Sequence, residues 1–85
     1  MKILVMKFGG TSVANIEKIK KVASIIEKKT KEYKIVTVLS AMAGVTNDLQ
    51  NHIDQISNID SSDSDIIITS GEQITIGLLS MTLNK

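Results

Sequence analysis

The residues best suited to chemistry lie in a short segment, Lys7-Phe8-Gly9-Gly10-Thr11-Ser12, which begins at the end of an apolar run. Glycines and small hydroxyl residues between a strand and a helix place backbone N–H groups around a concavity that binds phosphate. Lys7 adds a point charge for phosphate oxygens. The segment matches neither the GxxxxGK[ST] loop nor the GxGxxG motif. A Gly-Gly turn with a capping hydroxyl is therefore the alternative interpretation.

A second candidate segment, residues 40–47 (SAMAGVTN), also lies between a predicted strand and a predicted helix. In open α/β sheets, ligands bind beyond the carboxyl ends of the strands. Two such loops side by side would form one site, to which Ser40 and Thr46 contribute hydroxyl groups. The alternative is a turn followed by a helix cap.

The third candidate is Glu72, within Ser70-Gly71-Glu72, because a carboxylate inside an otherwise apolar segment needs a partner. That partner would be a cation or a substrate ammonium group, and a surface glutamate beside a helix kink is the alternative. The single histidine, His52, argues against a histidine-based zinc site or a Ser-His-Asp triad within this chain. It is interpreted as a surface helix residue.

The elements that must position these residues begin with a strand over residues 2–8, predicted to be buried on both faces and ended by Gly-Gly. Asn15 is predicted to cap a helix. Residues 34–40 form a second predicted strand. A helix between two strands implies a parallel pair with a right-handed crossover. The apolar positions of the helix follow a helical spacing: Ile16, Ile19, Val22, Ala23 and Ile26.

Two further helices are predicted after the second strand. Thr46 or Asn47 can cap the first of them, which extends to about residue 57. Its apolar side consists of Leu49, Ile53 and Ile56, and residues 58–64 form a polar connector after it. Residues 66–69 favour a strand by propensity, but the longer segment has a helical period, so we predict a helix over residues 64–83. Asp63 or Ser64 could cap it. The apolar period comprises Ile67, Gly71, Ile74, Leu78 and Met81.

Composition bounds the class of protein. The chain has 85 residues, which allow one domain or part of one. Its net charge of +1 argues against a nucleic-acid-binding surface, which would carry a strong excess of basic residues. It lacks cysteine, so disulfide scaffolds and thiolate metal sites are excluded. No run approaches about 18 apolar residues, and Lys7 interrupts the N-terminal apolar run too soon for the hydrophobic region of a signal peptide, so we expect a cytoplasmic chain without a membrane span.

The predicted β-α-β-α-α order indicates an α/β fold that is incomplete as a stand-alone domain. Two strands are too few for an independent sheet with covered faces. Only 2% of the residues are aromatic, which removes the largest core anchors. A lone domain of this size would be marginal, so we expect the chain to be part of something larger, with a second chain or a homo-oligomer as its partner.

Together the three candidate segments resemble the aspartate kinases. Residues 7–13 (KFGGTSV) are similar to the motif that opens that family, residues 38–49 (VLSAMAGVTNDL) to its VxSAMxGxTxxL segment, and residues 70–73 (SGEQ) with the following Ile76, Leu78 and Leu79 to its SGE segment. Order and approximate spacing agree, and the resemblance covers nearly the whole chain except residues 58–64. It implies the start of an amino acid kinase fold, with residues 1–85 as the N-terminal part of one domain and no second domain.

The resemblance also implies an activity, transfer of the ATP γ-phosphoryl group to the β-carboxylate of L-aspartate, which gives 4-phospho-L-aspartate and leads to lysine, threonine, methionine and diaminopimelate. ATP would bring Mg²⁺, and no metal ligand is assigned to the chain itself. Family roles carry over to matching positions. Lys7 would be the catalytic residue and would contact the ATP phosphates and the transferring group. The phosphate-side loop would consist of Gly9, Gly10, Thr11 and Ser12. Ser40 and Thr46 would contact aspartate, and Glu72 would hold the ammonium group of aspartate.

The resemblance leaves two classes open, because aspartate kinases are several hundred residues long. Their nucleotide-base pocket, an aspartate that organises transfer, an arginine for the substrate carboxylate and the regulatory domains have no counterpart in these 85 residues. The first class is the substrate-side start of an aspartate kinase, inactive by itself. The second is a non-catalytic truncated remnant that at most associates with a partner chain. A kinase for glutamate or carbamate is a weaker alternative, since it would not be expected to combine the first and third motifs.

Overall fold

Two parallel strands and three helices make up the fold, in the order β1-α1-β2-α2-α3. The computed structural model describes residues 1–57, 59 and 61–85. Strands β1 (Lys2–Phe8) and β2 (Tyr33–Leu39) pair in parallel from Lys2 opposite Tyr33 to Phe8 opposite Leu39. Helix α1 (Ile16–Lys29) joins them. The predicted element order and parallel pairing are thus confirmed, with β2 shifted by one residue from the predicted bounds.

Helix α1 begins as predicted, at a cap formed by Asn15. The Asn15 side-chain oxygen accepts a hydrogen bond from the Lys18 N–H at 3.0 Å, which satisfies one of the free donors at the helix start. Four of the five predicted apolar positions are buried, and Ile16 is the exception at 47% exposure. The buried positions are Ile19, Val22, Ala23 and Ile26.

Helix α2 (Val45–Ile56) starts differently from the prediction, since neither Thr46 nor Asn47 caps it. Its N-cap is Gly44, which has the left-handed φ of 83° and no side chain to cap with. The Gly44 carbonyl accepts from the Asp48 N–H at 3.0 Å, so the helical ladder has already begun before Thr46 is reached. Of its predicted apolar side, Ile53 is buried and Leu49 half-buried, whereas Ile56 is 87% exposed.

Helix α3 (Ser62–Leu83) confirms the helical interpretation of the last segment. Its cap is Ser61 rather than Asp63 or Ser64: the Ser61 hydroxyl accepts from the Ser64 N–H at 3.2 Å, and the Ser64 hydroxyl accepts from the Ser61 N–H at 2.9 Å. This reciprocal pair is a capping box. Residues 62–64 therefore belong to the helix and not to the predicted connector, of which residues 58 and 60 lie outside the described residues.

The buried side of α3 agrees only in part with the predicted apolar stripe, since Gly71 is buried and Leu78 is half-buried against the core. Ile67, Ile74 and Met81 are exposed, and the buried positions are Ser64, Gly71, Thr75 and Leu79. The helix packs through Leu79 and several small residues, while Ile66, Ile67, Ile74 and Ile76 are exposed. The buried hydroxyl of Thr75 is satisfied within the helix, because it donates to the Gly71 carbonyl at 3.3 Å.

The core lies between one face of the sheet and helices α1 and α3. Exposure alternates along both strands, so β1 is not buried on both faces as predicted. The described helices cover one face only, and the other face leaves Ile3, Val5, Val36 and Val38 exposed. The buried core cluster consists of Val13, Ile19, Val22, Ala23, Ile26, Leu39 and Leu79.

By length and composition alone, α3 could cross a membrane, in contrast to the sequence-based expectation that no segment qualifies. A core helix of a soluble domain passes the same test. The helix also carries Glu72, and it packs against α1, α2 and β2 in the described structure. These contacts assign α3 to the α/β domain.

Candidate functional site

The carboxyl ends of β1 and β2 lie side by side, and both candidate loops leave from this edge. The last paired residues are Phe8 and Leu39, and the Ser40 N–H donates to the Phe8 carbonyl at 3.1 Å just beyond them. Parallel strands with this register place their carboxyl ends at one edge. The structure therefore brings the loop after β1 and the loop after β2 together, as the sequence predicted.

The loop after β1 begins with a turn in which the Ser12 N–H donates to the Gly9 carbonyl at 3.0 Å. Val13 is completely buried and anchors the far end of the turn in the core. Neither Gly9 nor Gly10 has a positive φ, so the special backbone angles expected there are not used. Gly10 instead permits a close approach, because a Cβ there would lie 3.4 Å from the Ala41 carbonyl oxygen.

The polar groups of this first segment point toward solvent. Lys7 is exposed on the uncovered face of the sheet, opposite Val38 in the register. Thr11 and Ser12 are exposed as well. The exposed ammonium group and the exposed hydroxyl groups next to this tight turn can donate hydrogen bonds to an anionic ligand at this edge of the sheet.

The loop after β2 is compact and built from small residues. Ala41 is buried, and the Val45 N–H donates to the Met42 carbonyl at 3.1 Å to close the turn before α2. Ser40 is half-buried at the start of the loop, and Thr46 is exposed in the first turn of α2. The two candidate hydroxyl residues therefore stand at opposite ends of one tight connection.

The third candidate segment packs directly against this second loop. Gly71 is buried, and a Cβ built on it would lie 3.0 Å from Val45 Cγ1, 3.2 Å from Ala41 Cβ and 3.3 Å from Leu49 Cδ1. Glu72, the next residue of α3, is exposed. All three motif segments thus meet around residues 41–45, with Gly10 and Gly71 making the close approaches.

Sequence reasoning missed the residues that hold these segments together. Gly71 was correctly placed on the buried side of the helix but not as a contact to the second loop, and Ala41 and Gly44 were treated only as parts of a turn. A signal for Gly71 was present, because glycine inside a helix costs about 1 kcal/mol relative to alanine and so calls for a packing reason. The signal for Gly44 was the glycine immediately before a helical period, where an αL residue can end a loop.

One open groove of the described structure lies away from this edge. Its volume is about 510 Å³, and none of the candidate residues lines it. It runs between the end of α2 and the start of α3 and is lined by Ile53, Ile56, Ser57, Ile59, Ser61, Asp63, Ser64 and Ile67. Among the residues that the structure describes, no group of three or more acidic, histidine or cysteine side chains could hold a metal ion.

Comparison with known proteins agrees with the fold and with the family that the sequence resembles. Residues 2–85 match the model of the amino acid kinase family. The chain is 43% identical to an aspartokinase of Rickettsia felis and 46% identical to an aspartokinase of Geobacillus stearothermophilus, and each alignment covers all of this chain but only 22% and 21% of the relative. The crystal structure of aspartate kinase from Synechocystis superposes with a TM-score of 0.90 at 38% identity, covering 99% of this chain and 15% of that one. The chain thus spans about a fifth of the length of the curated relatives it matches.

Proposed function

The chain belongs to the amino acid kinase family, and we propose that it forms the N-terminal phosphate- and substrate-side part of an aspartate kinase domain. The observation that carries the proposal is the convergence of the three motif segments on residues 41–45, at the carboxyl edge of two parallel strands. Relatives named aspartokinase, at 43% and 46% identity, support the same substrate class. The protein would act on ATP and L-aspartate in the cytoplasm.

The segment after β1 is proposed to bind the ATP phosphates. Lys7 is proposed as the catalytic residue from its place in the KFGGTSV motif, and its exposed side chain is available to stabilise the charge of the transferring γ-phosphoryl group. Gly9, Gly10 and Thr11 form the phosphate-side loop, and Ser12 lies beside it. Backbone N–H groups and hydroxyl groups of this kind are the usual ligands of phosphate in α/β folds.

The other two segments are proposed to bind L-aspartate. Ser40 and Thr46 supply hydroxyl groups from the two ends of the second loop, and Glu72 holds the α-ammonium group of the substrate. An ion pair with the ammonium group favours an amino acid over a plain dicarboxylate, because the latter would leave the Glu72 carboxylate without its cationic partner. Specificity for aspartate then arises where α3 meets the second loop.

In the proposed reaction, an oxygen of the aspartate β-carboxylate bonds to the γ-phosphorus while the bond from that phosphorus to the bridging β,γ-oxygen breaks. The products are 4-phospho-L-aspartate and ADP. The nucleophile is an ionised carboxylate at neutral pH, so no strong general base is needed. Catalysis consists of positioning and of stabilising charge around the transferring group, in which Lys7 and the backbone N–H groups of the loop take part.

Mg²⁺ is assigned to ATP and not to the chain. The described residues offer no cluster of acidic, histidine or cysteine side chains for a metal ion. The phosphate oxygens of the nucleotide are themselves suitable ligands for Mg²⁺. No step of the proposed reaction is therefore derived through a metal site built by these 85 residues.

We propose that residues 1–85 alone do not turn over aspartate, since they correspond to only 21–22% of the relatives' length. A second candidate is a non-catalytic chain that associates with a partner or with a second copy. The observation that favours it is the uncovered sheet face, where Ile3, Val5, Val36 and Val38 are between 46% and 67% exposed. Apolar surface of this kind favours association.

One experiment tests both candidates. The 85-residue chain and the complete product of the native reading frame that contains it, hereafter the complete protein, are assayed for ADP formation with and without L-aspartate, and hydroxylamine traps the acyl phosphate. We expect aspartate-dependent turnover by the complete protein and none by the 85-residue chain above a Lys7→Ala control. Inactivity of the complete protein would reject the kinase proposal, and activity of the short chain would reject its dependence on further residues.

Thermal unfolding of the 85-residue chain separates the candidates further. A self-sufficient domain should show a sharp cooperative transition, and a remnant should show a shallow transition or none. Size-exclusion chromatography on the same sample reports association through the uncovered face.

A further inference from the structure

Helix α3 approaches the second loop at one residue that has no side chain. A Cβ at Gly71 would lie 3.0 Å from Val45 Cγ1 and 3.2 Å from Ala41 Cβ, distances that are shorter than ordinary van der Waals contact between carbon atoms. The nearest atoms belong to the loop after β2 and to the first turn of α2. An added methyl group therefore requires a shift of a few tenths of an ångström, and because Ala41 Cβ is bonded directly to the backbone of the loop, that shift involves α3 or the loop itself.

Gly77 provides an internal comparison because it lies in the same helix. A Cβ at Gly77 would meet nothing within 4 Å. Both glycines carry the same intrinsic cost in a helix, and replacing either by alanine should favour the helical conformation equally. Only at Gly71 does packing oppose the replacement.

The second loop is held in place and cannot simply move away from a methyl group added at Gly71. Gly10 also approaches it, with a Cβ position 3.4 Å from the Ala41 carbonyl oxygen and 3.8 Å from the Ala43 Cα atom. Ala41 is itself buried, and Ser40 is hydrogen-bonded to the Phe8 carbonyl at 3.1 Å. The loop is thus held by the first segment and by β1, so a larger residue at Gly71 moves α3.

We propose that Gly71 is a positioning residue whose missing side chain sets the position of α3, and with it Glu72, relative to the loop that carries Ser40 and Thr46. This inference rests on the proposed function, in which those three residues bind L-aspartate. The affinity for aspartate then depends on the Gly71 contact, while the affinity for ATP, assigned to the segment after β1, does not.

The test measures steady-state kinetics of the complete protein and its Gly71→Ala and Gly77→Ala variants, with aspartate and ATP varied separately. For Gly71→Ala we expect a rise in the aspartate KM of about tenfold, less than the roughly 10²-fold cost of a 1 Å misplacement, because the contact requires a shift of only a few tenths of an ångström. The ATP KM should stay within about twofold and kcat within about threefold. Gly77→Ala should leave all three constants within about twofold, since the added methyl group meets open space.

A compensating variant keeps the inference testable if Gly71→Ala does not fold. Val45→Ala removes Cγ1, the atom nearest to Gly71, and loosens the same contact. By itself it should raise the aspartate KM about threefold without changing the ATP KM. The aspartate KM of the double variant Val45→Ala, Gly71→Ala should be closer to the wild-type value than that of Gly71→Ala, because neighbouring changes in size compensate each other. If Gly71→Ala does not fold, the double variant is compared with Val45→Ala in the same way.

The outcomes separate this inference from the proposed function. Absence of aspartate-dependent activity in the wild-type complete protein rejects the proposed function, and it also rejects the role of Gly71 that rests on that function. If the wild type is active, equal aspartate KM values for Gly71→Ala and Gly77→Ala overturn the positioning role. A parallel rise of the aspartate and ATP KM values in Gly71→Ala also overturns it, since that result indicates general damage to the fold.

Discussion

The Ser40 N–H donates to the Phe8 carbonyl at 3.1 Å, one residue past the last pair of the parallel ladder. This bond ties the start of the second loop to the end of β1. It thereby places the segment beginning at Lys7 and the segment beginning at Ser40 at the same edge of the sheet. Four predictions follow from the positions of individual residues around this edge and in the helices that support it.

Replacing Lys7 by alanine in the complete protein should lower kcat about 10²-fold or more. The physical reason is the loss of one charged contact that strengthens as the phosphoryl group transfers. Steady-state ADP release measures the effect. Lys34→Ala is the matched control, because Lys34 is exposed on the same face of the sheet, opposite Ile3. A similar loss of kcat in both variants would contradict the role of Lys7.

Replacing Glu72 by glutamine should mainly raise the KM for aspartate, by about tenfold or more, because a charge-assisted contact to the substrate ammonium is worth roughly 1.5–3 kcal/mol. The ATP KM should be unaffected. Asp65→Asn removes an exposed carboxylate from the first turn of the same helix and serves as the control. An unchanged aspartate KM in Glu72→Gln would count against the assigned contact.

Gly44→Ala should destabilise the complete protein by about 1–2 kcal/mol, since a φ of 83° places the alanine Cβ in conflict with the backbone. Gly44→Asn should cost clearly less, because asparagine tolerates the left-handed region better. Urea unfolding, followed by circular dichroism, gives the two free energies of unfolding. Equal destabilisation by the two side chains would show that backbone strain is not the cause.

Ser61→Ala should lower the free energy of unfolding by about 1 kcal/mol, the usual contribution of a serine N-cap. The Ser61 hydroxyl accepts from the Ser64 N–H at 3.2 Å, and the variant leaves that donor without its partner. Ser62→Ala is the control, since Ser62 is exposed in the first turn of the same helix. The urea midpoint of the Ser62 variant should stay near that of the wild type, and a shift as large as that of Ser61→Ala would refute the cap.

Most of the fold could be predicted from the sequence because its signals are local. The apolar period in residues 16–29 and the Asn15 side chain define α1, and the β-branched runs define both strands. A helix between two such strands leaves a parallel pair as the expected arrangement. The motif segments around Lys7, Ser40 and Glu72 were likewise visible as residue types at given spacings.

The caps of the later helices could not be predicted in the same way. Thr46 and Asn47 are good N-cap residues by type, but the left-handed turn at Gly44 starts α2 before them. Ser64 does take part in the cap of α3, although from inside the helix, because Ser61 occupies the cap position. Several adjacent polar residues satisfy the same local rule, and the path of the chain selects among them.

The order of elements, the parallel pairing and the three segments that resemble aspartate kinases could all be recognised in the sequence, because hydrophobic periodicity and residue type are signals that act over a few residues. The buried side of α3 emerged only from the packing of whole elements. The predicted apolar period included Gly71, which is buried, but also Ile67, Ile74 and Met81, which are exposed, while Thr75 and Leu79 are buried. The distance between two packed elements depends on the side chains of both, so no pattern within one helix could reveal that Gly71 meets the loop at Ala41.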